Sequence, residues 1–133
     1  MDAFPGKRKL SGDCPIIILK DDLPWAALGS PGGHTITQNV PQIIFNLIDF
    51  EMGMQAAIDA PKVSFVEPNH LRVETTVPKA VRDALEAMGH QLRQGSIGNA
   101  HGIKFIRDAE GAIQAFETGV DERTKGRAPK VDR

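Results

Sequence analysis

A glycine-rich turn between an apolar run and a long helical pattern places the strongest constraint on this chain. Residues 29–33 read Gly-Ser-Pro-Gly-Gly, follow the apolar run at residues 25–28 and precede a helical pattern that ends near Phe50. This order of strand, turn and helix places backbone N–H groups at the positive end of a helix, where they can bind an anion. Adjacent glycines present such donors without a Cβ in the way. The same cluster is also typical of a plain turn, so by itself it does not identify a site.

The composition is that of one ordinary globular domain. Of the 133 residues, 41% are hydrophobic, which is enough to build a sizeable core. The formal net charge is −1, there is no Tyr and there is one Trp, so neither an electrostatic surface nor a stacking platform for nucleic acid is expected. No apolar run has membrane-spanning length, and the N-terminus lacks the apolar core of a secretory signal. No membrane partner is therefore expected, and the compartment is left open.

The first half of the chain predicts a hairpin followed by the glycine turn and a helix. The β-branched run at residues 16–19 predicts a strand buried on both faces, which returns as a second strand at residues 25–28. Pro41 conflicts with a helix that starts at Gly33, so the helix is either kinked or begins at Gln38 or later. The apolar stripe of this helix consists of Ile36, Val40, Ile43, Ile44, Leu47 and Ile48.

The second half predicts more hairpins than strand–helix–strand units. The expected fold class is therefore mixed α/β (α+β), with a mostly antiparallel sheet and helices on one face, in a single domain of residues 1–133. Residues 1–12 are expected to be extended, and residues 119–133 irregular. The predicted elements are helices at residues 52–59 and 76–88 and strands at residues 62–66, 71–74, 91–93, 102–106 and 112–116.

No side-chain motif identifies a metal, a cofactor or a nucleophile. The four histidines are not at zinc-ligand spacings, and Cys14 is the single cysteine, so we expect neither a metal nor a cofactor. A half-buried thiol is a better interpretation of Cys14 than a nucleophile. Asp49 and Glu51 are expected to cap a helix or face solvent. The lysine and Ser/Thr of a phosphate-binding loop do not follow the glycine turn.

Six short motifs occur in a characteristic order. They read Lys-Arg-Lys-Leu-Ser-Gly at residues 7–12, Gly-Ser-Pro-Gly-Gly at 29–33, Asn-Leu-Ile-Asp at 46–49, Ala-Ile-Asp-Ala-Pro-Lys at 57–62, Glu-Ala-Met-Gly-His at 86–90 and Asp-Glu-Arg at 121–123. Each is weak alone, but the ordered set is specific and covers nearly the whole chain. It resembles the C-terminal two-thirds or so of the small subunit of γ-glutamyltransferases (γ-glutamyltranspeptidases).

The resemblance implies a fold, a reaction and a set of site residues. Members of that family are N-terminal-nucleophile hydrolases with an αββα sandwich, of which this chain would form a partial version. A precursor cleaves itself, and the new N-terminal threonine attacks a γ-glutamyl amide such as glutathione. The paired glycines, here Gly32 and Gly33, supply backbone N–H groups to the oxyanion. The family's Leu-Ser-Ser stretch, which helps to hold the glutamyl group, keeps its first serine as Ser11 and has Gly12 in place of the second.

The resemblance also predicts what the chain does not contain. The family's threonine nucleophile lies upstream of the segment that matches Met1, and neither Thr35 nor Thr37 occupies its place, so the isolated chain is expected to be inactive. Two functions stay open: part of a γ-glutamyltransferase-like enzyme, or a non-catalytic module that binds a partner or small anion. Because missing strands would leave a sheet edge or face uncovered, we expect a homo-oligomer or a complex with a second chain. Family members are often periplasmic or extracellular.

Overall fold

The computed structural model describes residues 5–6 and 14–124. The described residues form two sheets and three α-helices, so the predicted α+β class with mostly antiparallel pairing is confirmed. The strands are β1 (Ile16–Lys20), β2 (Leu23–Gly29), β3 (Val63–Val66), β4 (His70–Val73), β5 (Gln91–Gln94), β6 (His101–Arg107) and β7 (Ile113–Val120). The helices are α1 (Ile36–Ile48), α2 (Met54–Asp59) and α3 (Lys79–Ala87), with 3₁₀ turns at Gly33–Thr35 and Glu122–Thr124.

The first sheet carries the core. Its strand order is β1-β2-β6-β7, and every neighbouring pair is antiparallel. Ile16 and Ile18 pack against the core, whereas the Ile17 side chain between them is 68% exposed on the opposite face. The prediction that this strand is buried on both faces was therefore wrong, because only one face of the sheet is covered by helices. The buried cluster consists of Ala26, Leu28, Ile36, Val40, Ile43, Leu47, Met54, Ala57, Ile58 and Ala100.

The second sheet is small and contains the one parallel pair among the described strands. Its order is β3-β4-β5, with β3 antiparallel and β5 parallel to β4. The sequence pattern predicted these strands, and the single parallel pair is compatible with the predicted mostly antiparallel pairing. The helix α3 connects β4 to β5, which is the crossover that a parallel pair requires. In the described part of the chain, no helix is both long and apolar enough to cross a membrane.

Pro41 lies inside α1. The helix begins at Ile36, so of the two alternatives, a helix that includes Pro41 as an interior residue or a start at Gln38 or later, the late start is excluded. The proline removes the hydrogen bond to the carbonyl of Thr37, at a cost of about 3 kcal/mol. Ile36 and Val40 are 1% and 0% exposed, and burying each of them contributes about 1.5–3 kcal/mol. Burial of the first turn therefore offsets the cost of the proline.

Two glutamines of α1 bind the outer strand of the second sheet. The Gln42 side chain donates to the carbonyl of Val63 (2.8 Å) and accepts from its amide (3.1 Å). The Gln38 side chain accepts from the amide of Phe65 (2.5 Å) and donates to its carbonyl (3.4 Å). These four hydrogen bonds replace a neighbouring strand along β3, and they hold the second sheet against α1.

Candidate functional site

The glycine turn connects β2 to α1, in the predicted order of strand, turn and helix. Gly32 and Gly33 have φ angles of +140° and +60°, a region that glycine enters without the steric cost of a Cβ. A Cβ on Gly32 would lie 2.6 Å from the Thr35 Oγ1 atom, so a side chain there would also collide with the next turn. Both glycines are exposed. The local backbone therefore explains why two adjacent glycines stand here.

Hydrogen bonds fix two carbonyl groups of this turn. The backbone N and the Oγ1 of Thr35 donate to the Gly32 carbonyl, at 3.3 and 3.0 Å. The Ser30 hydroxyl donates to the Pro31 carbonyl at 3.0 Å. The Nδ2 of Asn39 donates in turn to the Ser30 Oγ at 3.0 Å. Because Asn39 is on α1, the start of the helix and the turn are joined by side-chain contacts.

The amides of Gly32 and Gly33 are left as donors. None of the described residues accepts a hydrogen bond from either amide. The two peptide bonds are trans, because the single cis bond among the described residues is Glu67-Pro68. In a trans peptide the N–H points away from the C=O, and here both carbonyls are bound within the turn. The arrangement thus presents two exposed N–H groups that can bind an anionic oxygen.

The other predicted site residues lie outside this geometry. Ser11 and Gly12 fall outside the described residues, so their proximity to Gly32 and Gly33 stays a prediction. Cys14 is half-buried and packs against the core cluster, as the sequence indicated. Within the described ranges, no group of three His, Cys, Asp or Glu residues could hold a metal ion.

A buried ionic cluster joins the end of β7 to both sheets, and we call Lys62, Glu74, Asp121 and Arg123 the Arg123 cluster. The Nε of Arg123 lies 2.7 Å from the Glu74 Oε1, and its Nη1 lies 3.2 Å from the Asp121 Oδ1. The Glu74 carboxylate also accepts from the backbone amides of Lys62 (3.0 Å) and Ile97 (2.8 Å). The cluster therefore ties β4, the loop before β6 and the chain after β7 into one unit.

The same cluster binds the C-terminal end of α2. The guanidinium of Arg123 donates to the carbonyls of Ile58 (3.2 Å) and Asp59 (2.9 Å). The fully buried Lys62 ammonium donates to the carbonyls of Ile58 and Ala60. Both cations satisfy carbonyl groups that a helix leaves without partners at this end. The Asp-Glu-Arg motif was visible in the sequence, but its distant partners were not.

Burial and pairing set the charge states of this cluster. Burial lowers the pKa of Lys62 below its ordinary value of 10.5, and the nearby Arg123 charge lowers it further. Burial raises the pKa of Asp121, but hydrogen bonds from Arg123 and from the Asn99 amide outweigh burial and hold this pKa below 3.8. Asp121 is therefore ionised at neutral pH and compensates the Arg123 charge. This is the chemistry of a structural ion network rather than of an acid–base site.

A cavity of about 590 Å³ lies at the other end of β2. Its lining includes Trp25, Lys104, Arg107 and Glu117. The Lys104 Nζ is 3.2 Å from the Glu117 Oε2 and 5.7 Å from the centre of the Trp25 ring. Seven residues of extended strand span about 20 Å, so this cavity is remote from the glycine turn and is not part of the same site.

Comparison with known proteins identifies relatives over most of the chain. The family model described as gamma-glutamyltranspeptidase matches residues 3–131. A glutathione hydrolase proenzyme from Bacillus subtilis subsp. natto is 41% identical over 103 residues, which cover 76% of this chain and 18% of the relative. An acylase ACY 1 proenzyme from a Pseudomonas species is 41% identical over 106 residues, or 78% of this chain and 19% of the relative. The chain thus spans less than a fifth of these two relatives.

The structural comparison agrees with the sequence comparison. A mutant of the gamma-glutamyltranspeptidase from Helicobacter pylori matches with a TM-score of 0.82 and 33% sequence identity, covering 92% of this chain and 66% of that chain. The fold is accordingly that of the N-terminal-nucleophile hydrolases, as the ordered motifs predicted. The family match over residues 3–131 and this structural agreement show that the chain belongs to the gamma-glutamyltranspeptidase family.

Proposed function

We propose that this chain forms part of a γ-glutamyltransferase-like enzyme and contributes its oxyanion-binding turn. The substrates would be γ-glutamyl amides of the glutathione type, transferred to an acceptor or hydrolysed. The observation that carries this proposal is the pair of amide donors at the exposed residues Gly32 and Gly33, since the carbonyl of each of the two peptide groups is already bound within the turn. Ser11 and Gly12 would help to hold the glutamyl group.

The proposed chemistry needs little from the side chains of the turn. When a nucleophile attacks the γ-carbonyl, the carbonyl oxygen gains negative charge as its double bond opens. Two backbone N–H groups fixed in advance stabilise that charge without reorganising, and one such donor contributes about 3 kcal/mol in a working enzyme. The exposed turn at the start of α1 also places the positive end of the helix dipole near the oxyanion.

The nucleophile would come from polypeptide outside these 133 residues. The hydroxyl of Thr35 donates to the Gly32 carbonyl (3.0 Å), and the hydroxyl of Thr37 donates to the His34 carbonyl (3.3 Å). Both threonines have their amino groups in peptide bonds, so neither offers the free amine that serves as the base in this class. These contacts support a structural role for both residues.

A chimeric proenzyme tests the proposal. In this chimera, residues of the present chain would replace the matching segment of the glutathione hydrolase proenzyme from B. subtilis subsp. natto. We expect the chimera to process itself and to release p-nitroaniline from γ-glutamyl-p-nitroanilide, whereas the 133-residue chain alone releases none. The two functions left open by the sequence predict different results here. A processed chimera without activity would favour the non-catalytic module. Activity of the isolated chain would refute the proposal that the nucleophile comes from polypeptide outside these 133 residues.

We also propose that a further sheet, which is not the sheet of β3, β4 and β5, covers the exposed face of the first sheet. Ile17, Ala27, Ile103, Phe105 and Phe116 share the face opposite α1 and α2, and we call this surface the open sheet face. Ile17 is 68% exposed and Phe116 is 44% exposed. Contiguous apolar surface of this kind marks an interaction site. The sandwich expected for the family would place this further sheet against the open sheet face. Its strands would come from a second chain or from a longer form of this one.

The isolated chain should therefore self-associate through the open sheet face. In sedimentation velocity at micromolar concentration we expect oligomers, because apolar surface removed from water contributes about 25 cal/mol per Å². The Ile17→Lys variant should shift the distribution toward monomer. Met88→Lys is the matched control, because Met88 is 76% exposed but lies after α3. A wild-type chain that stays monomeric would contradict this expectation, as would equal effects of the two variants.

A further inference from the structure

We propose that Ser30, Asn39 and Thr35 are positioning residues that set the directions of the two glycine amides. This inference rests on the proposed function, because the orientation of the two amides matters only if they bind an oxyanion. None of the three side chains would touch the substrate. Each acts through a carbonyl group of the turn, and the two peptide groups are controlled by different side chains.

The first peptide group is held by Ser30 and Asn39. The Pro31 carbonyl and the Gly32 N–H belong to the same planar, trans peptide, so binding one fixes the direction of the other. The Ser30 hydroxyl donates to this carbonyl at 3.0 Å. Asn39 donates to the Ser30 Oγ at 3.0 Å, which leaves the hydroxyl proton free to point at Pro31. Ser30 is 9% exposed and Asn39 is 3% exposed, so water competes little for these contacts.

The second peptide group is held by Thr35. The Gly32 carbonyl shares its peptide plane with the Gly33 N–H. Both the backbone amide and the Oγ1 of Thr35 donate to that carbonyl, at 3.3 and 3.0 Å. The hydroxyl thus adds a second donor to one that the 3₁₀ turn would supply anyway. The Gly33 amide is therefore directed outward by a two-point contact.

The position of Asn39 argues that this arrangement is more than local stabilisation. Asn39 is buried beside Ile36, Val40 and Ile43 in the helix that covers the core. Its Oδ1 has no hydrogen-bond partner among the described residues, and burying an unpaired polar atom costs free energy. An apolar side chain would avoid that cost but could not donate to Ser30. Asn39 therefore lowers the stability of the fold through its unpaired oxygen, and its contact with Ser30 is the role that an apolar side chain at this position could not fill.

Backbone dynamics of the ¹⁵N-labelled 133-residue chain test this assignment. In Ser30→Ala we expect the order parameter of the Gly32 amide to fall from about 0.85 to below about 0.6, while Gly33 keeps its value. In Thr35→Val we expect the reverse. The matched variants Ser30→Thr and Thr35→Ser retain the hydroxyl and should retain both values. The Gly111 amide, in the turn between β6 and β7, reports whether each variant is folded.

The selectivity of the two effects decides the outcome. Simple destabilisation would loosen both amides together, and a turn held by its backbone alone would change in neither variant; either result overturns the proposal. In the active chimera, Ser30→Ala should lower kcat about 10- to 100-fold and leave KM within about twofold, because misdirected donors fail mainly in the transition state. An inactive chimera with the selective loss of order would refute the proposed function but not the positioning role.

Discussion

Replacing Arg123 by alanine is expected to lower the free energy of unfolding by about 3–5 kcal/mol. The side chain is 19% exposed and faces Glu74 and Asp121, which are 5% and 0% exposed. Burial lowers the pKa of Arg123, but hydrogen bonds to Glu74 and Asp121 and the charges of these two carboxylates outweigh burial and raise the pKa above its ordinary value, so the guanidinium is charged at neutral pH. Removing it takes away the guanidinium that bridges the Glu74 and Asp121 carboxylates, and it removes the donor to the carbonyl of Asp59.

Urea denaturation monitored by circular dichroism measures this change. The matched control is Lys79→Ala, which breaks the pair between Lys79 and Asp83, whose side chains are 79% and 54% exposed. An exposed i,i+4 pair contributes about 0.5 kcal/mol or less, so the two variants should differ several-fold. If Arg123→Ala changed stability no more than Lys79→Ala, the Arg123 cluster would not be the junction that its contacts indicate.

Gly32→Ala in the chimeric proenzyme is expected to reduce kcat about 100- to 1,000-fold, the loss typical of one oxyanion donor. The alanine keeps the N–H, but its Cβ cannot stay 2.6 Å from the Thr35 Oγ1, and a φ of +140° is unfavourable for any residue with a Cβ. The turn must therefore move, and both its amides change direction. The rate of p-nitroaniline release measures the loss.

Gly53→Ala provides the control for this variant. Gly53 precedes α2 with a φ of −66°, and the nearest atom to an added Cβ is the Glu117 Oε2 at 3.7 Å, an ordinary contact. We expect the Gly53→Ala chimera to keep its activity within about twofold. Full activity of the Gly32→Ala chimera would remove the glycine turn from the proposed mechanism.

Local patterns in the sequence were sufficient for most elements of the fold. The hairpin of β1 and β2 and that of β6 and β7 follow from short apolar runs and the turn residues between them, which act over a few positions. The start of α1 could not be predicted, because a local rule about Pro41 competed with the burial of Ile36 in a core assembled from distant strands. The exposure of Ile17 depended likewise on which face of the sheet the helices cover.

The candidate site divides in the same way. Gly32 and Gly33 could be identified because the motif is contiguous and its backbone angles are local. The contact from Asn39 to Ser30 spans nine positions between a helix and a turn. Helical spacing places position 39 on the apolar stripe between Ile36 and Ile43, but no pattern in the sequence identifies Ser30 as its partner. Arg123 meets Glu74 from 49 positions away, so that pairing emerges only from the packed structure.

The two glutamines of α1 have a consequence for how this chain avoids cross-β aggregation. Four residues of α-helix rise about 6 Å and two residues of strand rise about 6.6 Å. The spacing between Gln38 and Gln42 therefore matches the spacing between Phe65 and Val63, and each glutamine can bind one of these residues. An outer strand whose amides and carbonyls are free can template fibril growth. Along β3 those groups are already occupied by primary amides that imitate a peptide. A helix with glutamine at every fourth position can thus pair the backbone groups of an outer strand and leave no free edge there for another strand.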